Sequence, residues 1–187
     1  MTKLAPLLHH NEQFARDHTP VPLGLPTARL VLVTCVDHRI DPAAVLGLRP
    51  GDAPVIRNAG GRVTPSVIND IAYLAFLAES LLGATGPLFE VAVLHHTQCG
   101  TGFLADPEFL RQAARTTGVA EAELSASEVA DPDRTVREDV ERLLTSPLTP
   151  ATVSVSGHVY DLETGRVTTT IDARYPERAG TTGLRTE

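Results

Sequence analysis

The sequence predicts an α/β fold: a mostly parallel β-sheet flanked by helices, with a C-terminal hairpin strand and an N-terminal helical arm. Three observations carry this. Two short apolar runs, Leu30-Val31-Leu32-Val33-Thr34 and Leu88-Phe89-Glu90-Val91-Ala92-Val93-Leu94, have the length and composition of buried strands. Between them, Asp41-Pro42 and Thr64-Pro65 each pair a capping residue with a following proline, the mark of a helix start. Further on, Thr152–Tyr160 alternates, turns at Glu163-Thr164-Gly165 and continues as Arg166–Ile171, which reads as a hairpin. A β-α-β-α-β order requires parallel strands joined by crossovers, with helices on both faces.

The elements follow in order. Leu4 to Asp17 has helical apolar spacing at Leu4, Leu7, Leu8 and Phe14, and Pro20, Pro22 and Pro26 separate it from the first strand. Such an arm has little core of its own and suits packing on a partner subunit. The first strand is Arg29–Thr34. The helix opened by Asp41-Pro42 stops at Gly47 and Pro50-Gly51-Asp52. A short strand, Ala53–Arg57, leads into Asn58-Ala59-Gly60-Gly61. These glycines allow either a close approach of backbone to a pocket or a tight helix entry, the second being favoured for Gly61. The helix opened by Thr64-Pro65 runs to about Leu82 and stops at Gly83. Its Val67, Ile68, Ile71, Ala72, Leu74, Ala75, Leu77 and Ala78 cover most of the circumference, which predicts burial on two sides. After the strand Leu88–Leu94, three helical stretches are expected: from Asp106-Pro107, from Thr117 to Ala130, and from Asp131-Pro132 to Leu144. Residues 1–187 are expected to form a single domain, with 1–27 as the arm and 175–187 as a flexible tail.

Composition narrows the function classes. The chain is 42% hydrophobic but only 4% aromatic, with no Trp, so platforms for stacking single-stranded nucleic acid are not expected. A net charge of −7 without a Lys/Arg block argues against a nucleic-acid partner. No segment approaches the roughly 20 apolar residues of a membrane span, and the start lacks the apolar stretch of a signal peptide. Two cysteines do not make a disulfide framework. A cytoplasmic protein acting on a small molecule is expected.

Those two cysteines are the informative residues. Cys35 ends the first apolar run and opens Cys35-Val36-Asp37-His38-Arg39. Cys99 closes the second through His95-His96-Thr97-Gln98-Cys99. Both therefore lie where a strand gives way to a loop, at the sheet edge where α/β proteins bind ligands. Taken singly, a cysteine ending a buried strand is most often an inert core residue. The combination with a His-x-x-Cys pair points to a soft or borderline metal such as zinc, held by Cys35, His96 and Cys99. Three ligands leave one tetrahedral position open, as a catalytic zinc needs; Asp37 is the reserve fourth ligand. If extended backbone continues past Cys35, then Asp37 and Arg39 share its side, close enough for a bidentate ion pair. An ordinary loop ion pair is the plain alternative.

Cys-x-Asp-x-Arg followed by His-x-x-Cys resembles the signature of the β-class carbonic anhydrases. The segment Gly47-Leu48-Arg49-Pro50-Gly51-Asp52-Ala53-Pro54-Val55-Ile56-Arg57-Asn58-Ala59-Gly60-Gly61 is similar to that family's stretch between the two metal-binding strands. Ser156-Gly157-His158-Val159-Tyr160-Asp161 with Thr164-Gly165 is similar to the C-terminal hairpin of its short bacterial branch. The resemblance spans residues 28–172. It implies a zinc enzyme that reversibly hydrates CO2 to bicarbonate and a proton, with hydroxide as nucleophile. It also implies a homodimer or higher oligomer whose N-terminal helix embraces its neighbour. Asp37 would accept a hydrogen bond from the nucleophile, and Arg39 would hold Asp37 off the metal and keep it ionised. Gln98 stands where the short branch usually has an acidic residue, and His38 where it commonly has a small one. The active-site glutamine of the plant-like members has no counterpart among Gln13, Gln98 and Gln112. A carbonyl sulfide hydrolase on the same zinc site and a catalytically silent zinc-binding protein remain alternatives. His38 and His95 are candidates for proton export, with a structural or merely exposed role as the other reading; His9, His10, His18 and His158 are given no role.

Overall fold

The structure is a computed structural model that describes residues 2–177. Its strands are β1 (Leu30–Cys35), β2 (Val55–Asn58), β3 (Phe89–His96), β4 (Val153–Tyr160) and β5 (Val167–Arg174). They form one sheet in the order β2-β1-β3-β4-β5. Only the β4–β5 pair is antiparallel; the other three are parallel. The helices are α1 (Ala5–Arg16), α2 (Pro42–Leu46), α3 (Pro65–Ser80), α4 (Pro107–Thr117), α5 (Glu121–Ser125) and α6 (Pro132–Thr145). The predicted α/β architecture, with its terminal hairpin and its helical arm, is what forms.

Local chemistry sets the helix starts. The side chains of Asp41, Thr64, Asp106 and Asp131 each accept a backbone N–H of the first turn, and each precedes a proline. Packing does the rest. Val31, Val33, Val91, Val93 and Val155 alternate onto one sheet face and meet Val67, Ile71 and Ala75 of α3 and Val136, Val140 and Leu143 of α6. Each such aliphatic side chain, taken from water, contributes about 1.5–3 kcal/mol. A methyl on Gly157 would lie 3.0 Å from Val140 Cγ2, so α6 sits directly on β4. Chain progress from β1 to β2 runs one way and from β2 to β3 to β4 the other. Right-handed crossovers then place α2 on one face and α3 and α6 on the other.

The structure also corrects several expectations. Thr117–Ala130 is not one helical stretch. Gly118 takes the left-handed conformation (φ 76°) that ends α4, and only Glu121–Ser125 is helical beyond it. α3 is buried on one side within the chain, not two: Tyr73 and Phe76 are each 61% exposed. β1 begins after Arg29, whose φ of 51° is incompatible with a strand. β3 runs on to His96 because β4 pairs it along its whole length, from Phe89↔Val153 to His96↔Tyr160. β5 extends to Arg174, with a register shift where it passes Gly157. No residue of α1 is buried. Of the tail predicted at 175–187, residues 175–177 are irregular and the remainder lies outside the described residues. No helix among the described residues is long and apolar enough to cross a membrane.

Candidate metal centre

The strand order reverses direction at β1 and β3, so their carboxyl ends border a crevice. Cys35 is the last residue of β1 and His96 the last of β3. Cys99 follows at the entry to the helical turn Gly100–Ala105. The three residues are buried, and their donor atoms lie within 4.8 Å of one another. His96 Nδ1 is 2.9 Å from the Thr97 carbonyl, which can only accept, so Nδ1 carries the proton. Nε2 is thereby left as an acceptor, and it is buried without a hydrogen-bond partner.

The two thiols are adjacent. Cys35 Sγ and Cys99 Sγ are 3.9 Å apart. Their mutual hydrogen bond, with burial, pushes Cys35 up, while the same bond, helped by Thr101, pulls Cys99 down. Asp37 N–H faces Cys35 Sγ at 3.4 Å and Thr101 Oγ1 lies 3.1 Å from Cys99 Sγ, both suited to negative sulfur. Two zinc–thiolate bonds of about 2.3 Å at tetrahedral angles separate their sulfurs by about 3.8 Å, against the 3.9 Å found. Two adjacent thiols and one orphaned imidazole nitrogen fit a zinc ion.

Asp37 and Arg39 do pair, though not through extended backbone. Ile40 N–H donates to the Asp37 carbonyl, closing a turn immediately after β1. Within it Arg39 Nε donates to Asp37 Oδ1 at 2.9 Å and Nη2 to Oδ2 at 2.6 Å, with the Arg39 backbone N–H adding a third bond to Oδ1. These bonds outweigh burial and hold the Asp37 carboxyl well below the usual carboxylate range. Asp37 Oδ2 lies 4.0 Å from His96 Nε2, beside the cluster.

Four residues bear on the site, and three of them were given no part in the sequence reading. Arg57 donates to the carbonyls of Cys35, Asp37 and Ile40 at 2.8–2.9 Å, binding the whole turn to β2. Its signal was its place at the end of a strand next to β1. Gly61 has φ 68°, and a methyl there would lie 2.7 Å from Cys35 N. It serves a close backbone approach, which corrects the favoured reading of a helix entry. Arg62 and Asp139 form a buried ion pair behind the site, with Arg62 Nε 2.7 Å from Asp139 Oδ2; no local pattern announced it. The two proton-export candidates part company. His95 is fully buried between Thr135 Oγ1 (2.8 Å), the Gly61 carbonyl (3.3 Å) and Asp139 Oδ2 (3.3 Å). The His38 side chain is 94% exposed, with Nδ1 3.8 Å from Asp37 Oδ1.

A family model described as carbonic anhydrase matches residues 30–167. Beta-carbonic anhydrase 1 of Mycobacterium tuberculosis (strain ATCC 25618 / H37Rv) is 34% identical over 148 residues, covering 79% of this chain and 85% of the relative. A carbon disulfide hydrolase of Acidianus sp. (strain A1-3) is 32% identical, covering 77% of this chain and 78% of the relative. The crystal structure of carbonic anhydrase from Streptococcus mutans superposes with a TM-score of 0.74 at 36% identity, covering 91% of this chain and 98% of the other.

Proposed function

This chain belongs to the β-carbonic anhydrase family, and on that premise we propose that it binds one zinc ion through Cys35, His96 and Cys99 and reversibly hydrates CO2 to bicarbonate and a proton. The observation that carries the proposal is the buried, unpartnered His96 Nε2 facing two thiols, with a carboxylate alongside. Zinc held there supplies the Lewis acidity that brings the pKa of a water toward about 7. The residues do the rest. Asp37, ionised through the neutral range, acts as an acceptor and not as a proton donor. Arg39 fills both acceptor positions of Oδ1, through Nε and its backbone N–H, and one of Oδ2, leaving Oδ2 a second with which to orient the attacking hydroxyl group. Arg57 keeps the turn in shape. His38, exposed beside Asp37, passes the proton to buffer. Free thiol ligands require reducing surroundings, which the cytoplasm supplies. The uncovered apolar residues of α1 and α3 support a homodimer or larger assembly.

The carbon disulfide hydrolase relatives favour one second reading, in which sulfur analogues of CO2, carbonyl sulfide among them, are the substrate. The experiment is metal analysis of protein purified without added metal, with CO2, carbonyl sulfide and carbon disulfide assayed on the same sample. One zinc per chain with CO2 turnover supports the first reading. Turnover of sulfur substrates alone supports the second. Zinc without turnover of any of them identifies a silent zinc-binding protein, and a lack of bound metal removes all three.

A further inference from the structure

Gln98 stands between two of the cluster residues and is one of only two non-glycine residues with positive φ (55°) among those described. A residue with a Cβ holds that conformation only when its surroundings impose it. Two contacts do so. The Gln98 carbonyl accepts from Arg39 Nη2 at 2.8 Å, the same nitrogen that binds Asp37 Oδ2. The Gln98 side chain donates from Nε2 to Glu163 Oε1 at 2.9 Å, in the β4–β5 turn. That turn is itself ordered: Asp161 Oδ1 accepts from the backbone N–H of Glu163 and Thr164, both at 2.8 Å. It is also stitched to the same loop by Thr97 N–H to the Tyr160 carbonyl and by Leu162 N–H to Thr97 Oγ1.

We propose that Gln98 and Glu163 form a positioning clip. Their hydrogen bond fixes the peptide at 98 in its left-handed state, aims its carbonyl at Arg39, and so keeps Asp37 beside the Cys35–His96–Cys99 cluster instead of on it. The clip rests on the zinc reading given above. Arg57, the other fastener of the turn, grips main-chain carbonyls and does not restrain the Asp37 carboxylate. The Arg39 side chain is 40% exposed, so without the Gln98 carbonyl the ion pair is held only by the bond from the Arg39 backbone N–H to Asp37 Oδ1. Asp37 Oδ2 is already 4.0 Å from His96 Nε2 and needs only a small movement to reach the cluster.

The test compares wild type with Glu163→Ala, Gln98→Gly and Glu163→Gln, each loaded with zinc for CO2 hydration and with cobalt for visible absorption, which reports the oxygen ligand. Loss of one exposed hydrogen bond predicts a kcat lowered about three- to five-fold with KM unchanged in Glu163→Ala, and an altered cobalt spectrum. Gln98→Gly should behave alike, because glycine accepts the left-handed conformation but lacks the clip. Glu163→Gln keeps an acceptor and should match wild type. In an Asp37→Asn background, Glu163→Ala should leave the spectrum unmoved, since no carboxylate remains to approach. Wild-type kinetics and spectrum from Glu163→Ala, or from Gln98→Gly, overturn the clip alone. A wild-type protein that takes up no cobalt overturns the zinc reading and the clip with it.

Discussion

Replacing Asp139 with alanine should destabilise the protein by about 3–5 kcal/mol, the cost of stranding one partner of a buried ion pair. Asp139 is fully buried on α6. Its Oδ2 accepts from Arg62 Nε at 2.7 Å and from Val63 N–H at 3.0 Å. Its Oδ1 accepts from Arg62 Nη2 at 3.2 Å and from Arg142 Nη1 at 2.5 Å. Without the carboxylate, Arg62, whose side chain is 6% exposed, keeps only the Glu128 carbonyl and the more exposed Glu138. Equilibrium urea unfolding followed by far-UV circular dichroism, at fixed protein and zinc concentrations, reads the loss directly. With a slope of about 2 kcal/mol/M, the midpoint should fall by roughly 1.5–2.5 M. Arg62→Met added to the same variant should cost little more, because the pair is already broken. A midpoint shift below about 0.5 M would refute the reasoning, since it corresponds to about 1 kcal/mol at that slope. The pH dependence has a definite sign. Burial pushes Asp139 up, but the His95 hydrogen bond and the Arg62 guanidinium outweigh it, so the folded value lies below the ordinary 3.8. The carboxylate's contribution is therefore complete above that ordinary value and is lost as pH falls through the lower folded one. The stability gap between wild type and Asp139→Asn should hold steady down to about pH 5 and narrow below about pH 4.

A Cys35→Ser, Cys99→Ser double variant should lose its zinc, measured by elemental analysis; full metal content in that variant would remove both ligands from the assignment. Asp37→Asn should keep zinc but lose CO2 hydration by at least about tenfold, and Arg39→Ala should also be impaired; wild-type rates from either would remove their assigned roles. Gly61→Ala combines a 2.7 Å clash against the Cys35 backbone with a left-handed φ, and should lower the thermal midpoint by about 5–10 °C together with zinc retention. Sedimentation at micromolar concentration should show at least a dimer, and a clean species near 20.0 kDa would contradict it.

What the sequence made legible is what short-range chemistry decides. Caps followed by proline at Asp41, Thr64, Asp106 and Asp131 located four helix starts, because capping needs only a few consecutive residues. The Cys35, His96 and Cys99 cluster was legible because parallel topology brings the carboxyl ends of β1 and β3 to one edge. The residues that were missed act over long separations. Arg62 and Asp139 are 77 positions apart, and Arg57 and Cys35 are 22 apart. Neither partner has a local pattern that names the other. The Asp37–Arg39 pair shows a right contact reached by a wrong path: alternation and a tight turn both bring residues i and i+2 together, and the Ile40 N–H bond decides for the turn. The uncovered side of α3 has the same origin in reverse. Its apolar circumference is real, but a single chain offers a covering surface to only half of it.

At the end of β3 one short segment faces both the cysteine–histidine cluster and the core. Successive strand residues point to opposite faces, so adjacent His95 and His96 are committed to different tasks by geometry alone. His95 turns toward α6, where Thr135 and Asp139 hold it, and it also touches the Gly61 carbonyl. His96 turns toward the two thiols. Gly61 in turn lies against the backbone of Thr34 and Cys35. The Arg62–Asp139 pair thereby connects, through residues next to Cys35 and His96, the ends of both strands that carry the cluster. Cys35 and His96 are thus backed by buried contacts, the kind of support that a metal site requires of its surrounding residues. The front differs: Asp37 and Arg39 are held by a surface turn and a few hydrogen bonds. Rigidity is thus concentrated where ligand spacing must not change. On the proposed reaction, the looser turn is where the Asp37 carboxylate would meet an incoming substrate and a departing proton. Substitutions behind the sheet should therefore act first on folding and metal retention, and substitutions at the turn first on turnover.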